Sequence, residues 1–168
     1  MKLFGLVALT MTAFAFNSIL NRIALSPGDT GPASYAAVRL FSGAVLLALL
    51  VTLRTQAWPK ITSHSFWSAG TLTLYAIAFS YAYITLPTGA GALILFGGVQ
   101  VIAFSITLMR GQKIGLFSWL GASLAFGGLC YLLWPDQASD IDPFGSALMV
   151  LSALGWTLYT MAGARSSD

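Results

Sequence analysis

Five side chains in this sequence invite a chemical explanation because they lie inside long apolar runs: Asn17, Arg39, Tyr75, Gln100 and Trp156. A polar group taken out of water costs free energy unless a partner satisfies it. Arg39 is followed by fourteen residues without a charge. An arginine at mid-bilayer costs about 2.5–3.5 kcal/mol on insertion scales, although its long stem can snorkel toward the interface. Two roles stay open for it, an interfacial anchor near one membrane surface or a cation at the outer mouth of a ligand cavity. Asn17 either bonds a neighbouring helix or contacts a ligand. Gln100 falls near the middle of its run, the most expensive depth for an unpaired amide, and is the candidate for a central polar cavity.

Two further patterns accompany these residues. Thr71, Tyr75 and Tyr83 recur at spacings of four and eight and so share a helical face, within a series that also holds Ser68, Thr73, Ser80 and Tyr81. Trp156 and Tyr159 share another face, with Ser152 one turn earlier. Such stripes either line a wet path or pack against neighbouring helices. Small residues recur at Gly89, Gly91, Gly97 and Gly98, and again at Gly111, Gly115, Gly121, Ala125, Gly127 and Gly128. That pattern lets membrane helices approach closely.

Some chemistries lack their residues. The acidic side chains are Asp29, Asp136, Asp140, Asp142 and Asp168, and none falls within an apolar run. A membrane-embedded carboxylate for proton coupling is therefore absent. His64 stands alone, so it makes neither a metal site nor a serine–histidine–acid set. Cys130, the single cysteine, cannot close an intrachain disulfide. The eight Lys and Arg residues are spread singly, which gives no basic stripe for nucleic acid. The expectation is a protein that is not an enzyme, with no cofactor, no metal and no nucleic-acid partner.

The elements that must carry these residues follow from composition. The 168 residues are 57% hydrophobic and 8% charged, too little polarity to clothe a soluble domain. A spanning helix needs about twenty residues at ~1.5 Å each. Six runs reach that length, at residues 3–21, 33–51, 66–84, 88–108, 114–133 and 144–162. The breaks are a turn cluster at 26–32 with two prolines, a basic stretch at 53–65, short turns at Pro87 and at 110–113, and an acidic, proline-bounded loop at 134–143. The predicted fold is an all-α polytopic transmembrane bundle in which short connections make consecutive helices antiparallel neighbours. Its first helix is a retained signal-anchor. With six spans, Lys2, Arg54, Lys60, Arg110, Lys113 and Arg165 fall on one side, and Arg22 and Arg39 join the aspartates on the other. That asymmetry places the six, and both termini, in the cytoplasm. Trp58, Trp67, Trp119 and Trp134 lie near run ends, where the interface suits them, and Trp156 lies deeper.

The stretch from Phe14 through Asn17 to Arg22, followed by Pro32 and Tyr35-Ala36-Ala37-Val38-Arg39-Leu40, resembles the opening of EamA-type members of the drug/metabolite transporter superfamily. Gly111-Gln112-Lys113 with Gly121 and Gly127-Gly128 is similar to that family's fourth loop and fifth helix. Asp142-Pro143-Phe144-Gly145 and Ala153-Leu154-Gly155-Trp156-Thr157-Leu158-Tyr159 are similar to the start of its second repeat. The resemblance implies ten helices in two inverted five-helix repeats. Residues 1–133 then correspond to the first repeat and 134–168 to the opening of the second. It further implies a secondary transporter of a small organic metabolite in a bacterial inner membrane. Asn17, Arg39, Tyr75, Gln100 and Trp156 would be the groups facing substrate. Against that family the chain is short. The expectation is a truncated transporter, or else a short protein that completes its cavity as a homodimer. A non-transporting scaffold or inactive remnant is the alternative.

Overall fold

A computed structural model describes residues 2–25, 31–56, 63–112, 114–132 and 141–165. Outside the described residues lie most of the 26–32 turn cluster with Asp29, the stretch with Trp58, Pro59 and Lys60, Lys113, the loop with Trp134, Asp136 and Asp140, and 166–168. The side chains of Lys2, His64 and Arg165 lie outside them too.

The described residues form six α-helices: α1 (Lys2–Leu25), α2 (Pro32–Thr55), α3 (Ser63–Thr85), α4 (Thr88–Met109), α5 (Leu116–Leu132) and α6 (Pro143–Arg165). Each matches one of the apolar runs, usually with an extra turn. Pro32 opens α2, where its fixed φ suits a first turn and its missing N–H costs nothing. Pro87 disfavours helical geometry at Leu86, so α3 stops and α4 begins within three residues. Gly111, with φ +69, turns the chain out of α4.

Four helices, α1, α2, α4 and α6, are each long and apolar enough to cross a membrane. Helix α5 is shorter at 17 residues, and α3 carries the polar series. The outer surface is strongly apolar, with Phe4, Leu9, Phe41, Leu53, Phe117 and Leu124 all well exposed. A surface of that kind is unstable in water and suited to hydrocarbon. Several hydroxyls on these helices are satisfied within their own helix. Thr10, Thr12, Ser105 and Thr107 each donate to the carbonyl four residues earlier, at 2.7–2.9 Å. The chain is an integral membrane protein of all-helical architecture.

Helix α3 is the centre of the bundle, and its most extensive packing is with α6 rather than with its neighbours in sequence. Helix α4 also packs on α6, whereas α1–α2 and α3–α4 touch only lightly. Helices α1 to α5 do touch their neighbours in sequence, but the most extensive packing joins helices distant in sequence. Residue size explains the preference. A Cβ at Gly155 would lie 2.8 Å from the Tyr75 nitrogen and 2.9 Å from the Thr71 oxygen, so α6 rests directly on the backbone of α3. Gly98 meets the Ala153 methyl in the same manner, and Gly91 accommodates the Tyr83 ring. By contrast Gly89, Gly115, Gly121, Gly127 and Gly128 face open space. Glycine spacing thus marked close contacts at Gly91 and Gly98 of α4, not at the glycines of α5, and missed Gly155 of α6.

At the end where α3 stops, Asp142 caps α6. Its Oδ2 accepts from the Gly145 N–H at 2.7 Å and from Thr85 Oγ1 at 2.8 Å, which ties the end of α3 to the start of α6. Those donors hold the Asp142 carboxyl below the ordinary carboxylate range, with the Gly145 N–H first and the Thr85 hydroxyl second.

Candidate functional site

The α1–α2–α3 junction is built around Arg39. About two turns into α2, its Nη1 donates to Asn21 Oδ1 at 2.9 Å and its Nη2 to Asn17 Oδ1 at 3.2 Å. The two asparagines are four apart on one face of α1, and Asn21 Nδ2 donates to the Asn17 carbonyl at 2.5 Å. Below the guanidinium lie two rings, with Cζ 5.7 Å from the Tyr35 centroid and 5.5 Å from that of Phe79. Such cation–π contacts are each worth about 0.5–2 kcal/mol, more as water is excluded. Every one of these partners is neutral. Among the described residues the carboxylate is Asp142, and it is engaged by Gly145 and Thr85. The half-buried Arg39 charge is thus oriented by dipoles and rings, with no carboxylate against it among the described residues.

An aromatic column continues from Phe79. Tyr75, Phe79 and Tyr83 follow each other at four-residue spacing on α3, with centroids 5.3 and 4.7 Å apart. Trp156 of α6 packs on Tyr75 at 4.9 Å and reaches Phe14 of α1 at 6.0 Å and Tyr159 at 5.7 Å. Ser152 Oγ donates to the Tyr75 carbonyl at 3.1 Å, so the Ser152–Trp156 face of α6 is the face against α3. Asn17 and Arg39 are in direct contact, Tyr75 and Trp156 are in direct contact, and Phe79 joins the two pairs.

Gln100 is elsewhere. It lies on a cleft of about 480 Å³ between α4 and α5, together with Phe96, Phe104, Trp119, Ser123 and Phe126. Phe104 and Trp119, 4.6 Å apart and edge-to-face, hold the two helices together there. The Gln100 side chain makes no hydrogen bond among the described residues.

Three participants escaped the sequence reading. Asn21 is 1% exposed and completes the arginine clamp, and its four-residue spacing from Asn17 was the available signal. Phe79 extends the Tyr75–Tyr83 stripe at the same helical interval. Arg22 sends Nη1 to the carbonyls of Tyr83 and Ile84 at 2.8 and 2.9 Å, satisfying the C-terminal end of α3. No sequence signal identifies that landing point.

The fold and this junction define a class, a helical integral membrane protein with a cation held inside its bundle, and comparison with known proteins adds relatives. The chain is 46% identical over 165 residues to the uncharacterized protein PA1977 of Pseudomonas aeruginosa, covering 97% of this chain and 56% of that protein. It is 29% identical over 172 residues to the uncharacterized transporter YwfM of Bacillus subtilis, covering 96% of this chain and 55% of that protein. The chain spans about half the length of the curated relatives it matches. No family model matches it, and no solved structure does.

Proposed function

We propose that the chain belongs to a secondary transporter of the EamA type in the drug/metabolite transporter superfamily, moving a small organic anion or zwitterion. The observation that carries this reading is the Arg39 guanidinium, held inside a membrane bundle by partners that, among the described residues, are all neutral. Low-dielectric surroundings strengthen its attraction for an incoming carboxylate. The transporter designation of the Bacillus subtilis relative supports the same class. In this reading Arg39 contacts the charged group, Asn17 and Asn21 fix its plane, and Tyr75 and Trp156 shape the wall beyond Phe79. Gln100 belongs to a separate cleft.

The same reading takes residues 1–133 as one five-helix repeat and 134–168 as the start of an inverted second, whose rocking would alternate access. Both termini face the cytoplasm. Supporting this, Arg22 and Asp142 meet the C-terminal end of α3, whereas Arg54 and Arg110 end helices that run the other way.

The test is uptake of a panel of radiolabelled small carboxylates and amino acids by vesicles carrying the chain. Arg39→Gln should reduce uptake of the anionic members by at least about thirtyfold, the loss expected when a buried charge pair loses one partner. Arg39→Lys should retain part of it. Equal uptake by Arg39→Gln, or uptake no greater than in empty vesicles, refutes the reading.

A further inference from the structure

The clamp around Arg39 is made of amides at positions where a carboxylate would fit. A guanidinium only donates, so both asparagines turn Oδ1 toward it. Asn17 Oδ1 accepts twice, from Arg39 Nη2 at 3.2 Å and from Asn21 Nδ2 at 3.3 Å. Its own Nδ2 makes no hydrogen bond among the described residues. An aspartate at position 17 would therefore keep both bonds, strengthen them through its charge, and give Arg39 a counter-ion. A cation inside a bundle is costly without an opposite charge beside it. The neutral amide forgoes that stabilisation.

The guanidinium also keeps an open edge. Asn21 and Asn17 engage Nη1 and Nη2, whereas Nε makes no hydrogen bond among the described residues. No side-chain nitrogen or oxygen among them is both buried and without a partner, so Nε is accessible. Asn21, 1% exposed, anchors the closed side. Its Oδ1 accepts from Nη1 at 2.9 Å, and its Nδ2 donates to the Asn17 carbonyl and so fixes its own amide. The amides thus hold one side of the cation and leave its charge and its Nε edge to be answered by another group.

From this arrangement we infer that Asn17 is the residue that sets charge selectivity at Arg39. Its amide orients the guanidinium without quenching it, so the anionic group of the cargo becomes the counter-charge. Asn17 acts through Arg39, at a position where one side-chain atom decides between an anion site and a closed ion pair. The inference rests on the reading of Arg39 as the anion contact, and adds what makes that contact selective.

The test compares Asn17→Asp with Asn17→Ser in the full chain, measuring uptake of radiolabelled carboxylates by vesicles and the unfolding midpoint in detergent. Asn17→Asp should reduce uptake of the anionic members by at least about thirtyfold, as much as Arg39→Gln, because its carboxylate occupies the cation. Its unfolding midpoint should nevertheless equal or exceed that of the unchanged protein. Asn17→Ser stays neutral but has a shorter side chain. Its midpoint should fall, while uptake weakens only about fivefold, as for one lost neutral hydrogen bond. A purely structural asparagine gives one order of variants in both measurements, whereas charge selection gives opposite orders. Three results overturn the inference while Arg39→Gln still loses uptake. One is anion uptake by Asn17→Asp close to that of the unchanged protein. Another is Asn17→Ser losing as much uptake as Asn17→Asp. The last is a midpoint for Asn17→Asp below that of Asn17→Ser, which signifies that the carboxylate does not seat against Arg39. Undiminished uptake by Arg39→Gln, or uptake by the unchanged protein no greater than in empty vesicles, removes the reading of Arg39 itself and this inference with it.

Discussion

Replacing Gly155 by alanine should drive α3 and α6 apart. The new methyl would lie 2.8 Å from the Tyr75 nitrogen, 2.9 Å from the Thr71 oxygen and 3.2 Å from the Tyr75 Cα. All three are backbone atoms, so no rotamer change relieves the contact and a helix must move. Overpacking of this kind costs about 1–3 kcal/mol. Displacement also lengthens the Ser152–Tyr75 hydrogen bond, now 3.1 Å, which is worth about 1 kcal/mol. Against this, alanine is a better helix former than glycine by ~1 kcal/mol. The two roughly cancel, which leaves a net destabilisation of about 1–3 kcal/mol. The assay is the unfolding midpoint in mild detergent titrated with a denaturing one, followed by helical circular dichroism. Gly163→Ala on the same helix is the control, because a Cβ there meets nothing within 4 Å. That variant should be neutral or slightly stabilising. A Gly155→Ala protein as stable as Gly163→Ala would refute the claim that α6 rests on the α3 backbone.

Other consequences can be measured with the same protein. Arg22→Gln removes two charge-assisted bonds to the Tyr83 and Ile84 carbonyls and should cost about 1.5–3 kcal/mol in the same unfolding titration; an unchanged midpoint would mean the bonds do not form. The Asp142 carboxylate is held below its ordinary pKa, so its contribution is complete above the unfolded value near 3.8 and is lost as pH falls through the lower folded one. Hydrogen exchange at Gly145 and Ser146 should accordingly be constant from about pH 7 to pH 5, after correction for intrinsic rates, and lose protection only below about pH 4. Asp142→Ala should lose that protection at every pH, and protection unaffected by either change would remove the cap.

Much of the architecture was legible because hydrophobic thickness sets a length. Runs of about twenty apolar residues have few alternatives to membrane helices, and prolines and glycines between them mark the ends. Arg39 and Asn17 were legible for a related reason, since a polar group in such a run must be answered by something. What answers them was not. The sequence placed Asn17 and Arg39 on separate helices, and the four-residue spacing of Asn17 and Asn21 alone did not show that both would share the guanidinium. Glycine spacing pointed to α4 and α5, whereas the close approach to another helix's backbone runs through Gly155 of α6. Gln100 looked central because it is central along its helix, but only the packing of α4 on α5 decided that it faces a different cleft from Arg39.

The chain by itself therefore determined the medium it folds in, the number and length of its helices, and the positions where a buried polar group needs an explanation. These are properties of single segments, governed by transfer free energy and backbone geometry. Which helices touch, which face of each is inward, and which neutral groups surround the arginine depend on side-chain shapes meeting across the bundle. Those relations belong to pairs of segments distant in sequence, so tertiary packing alone decided them.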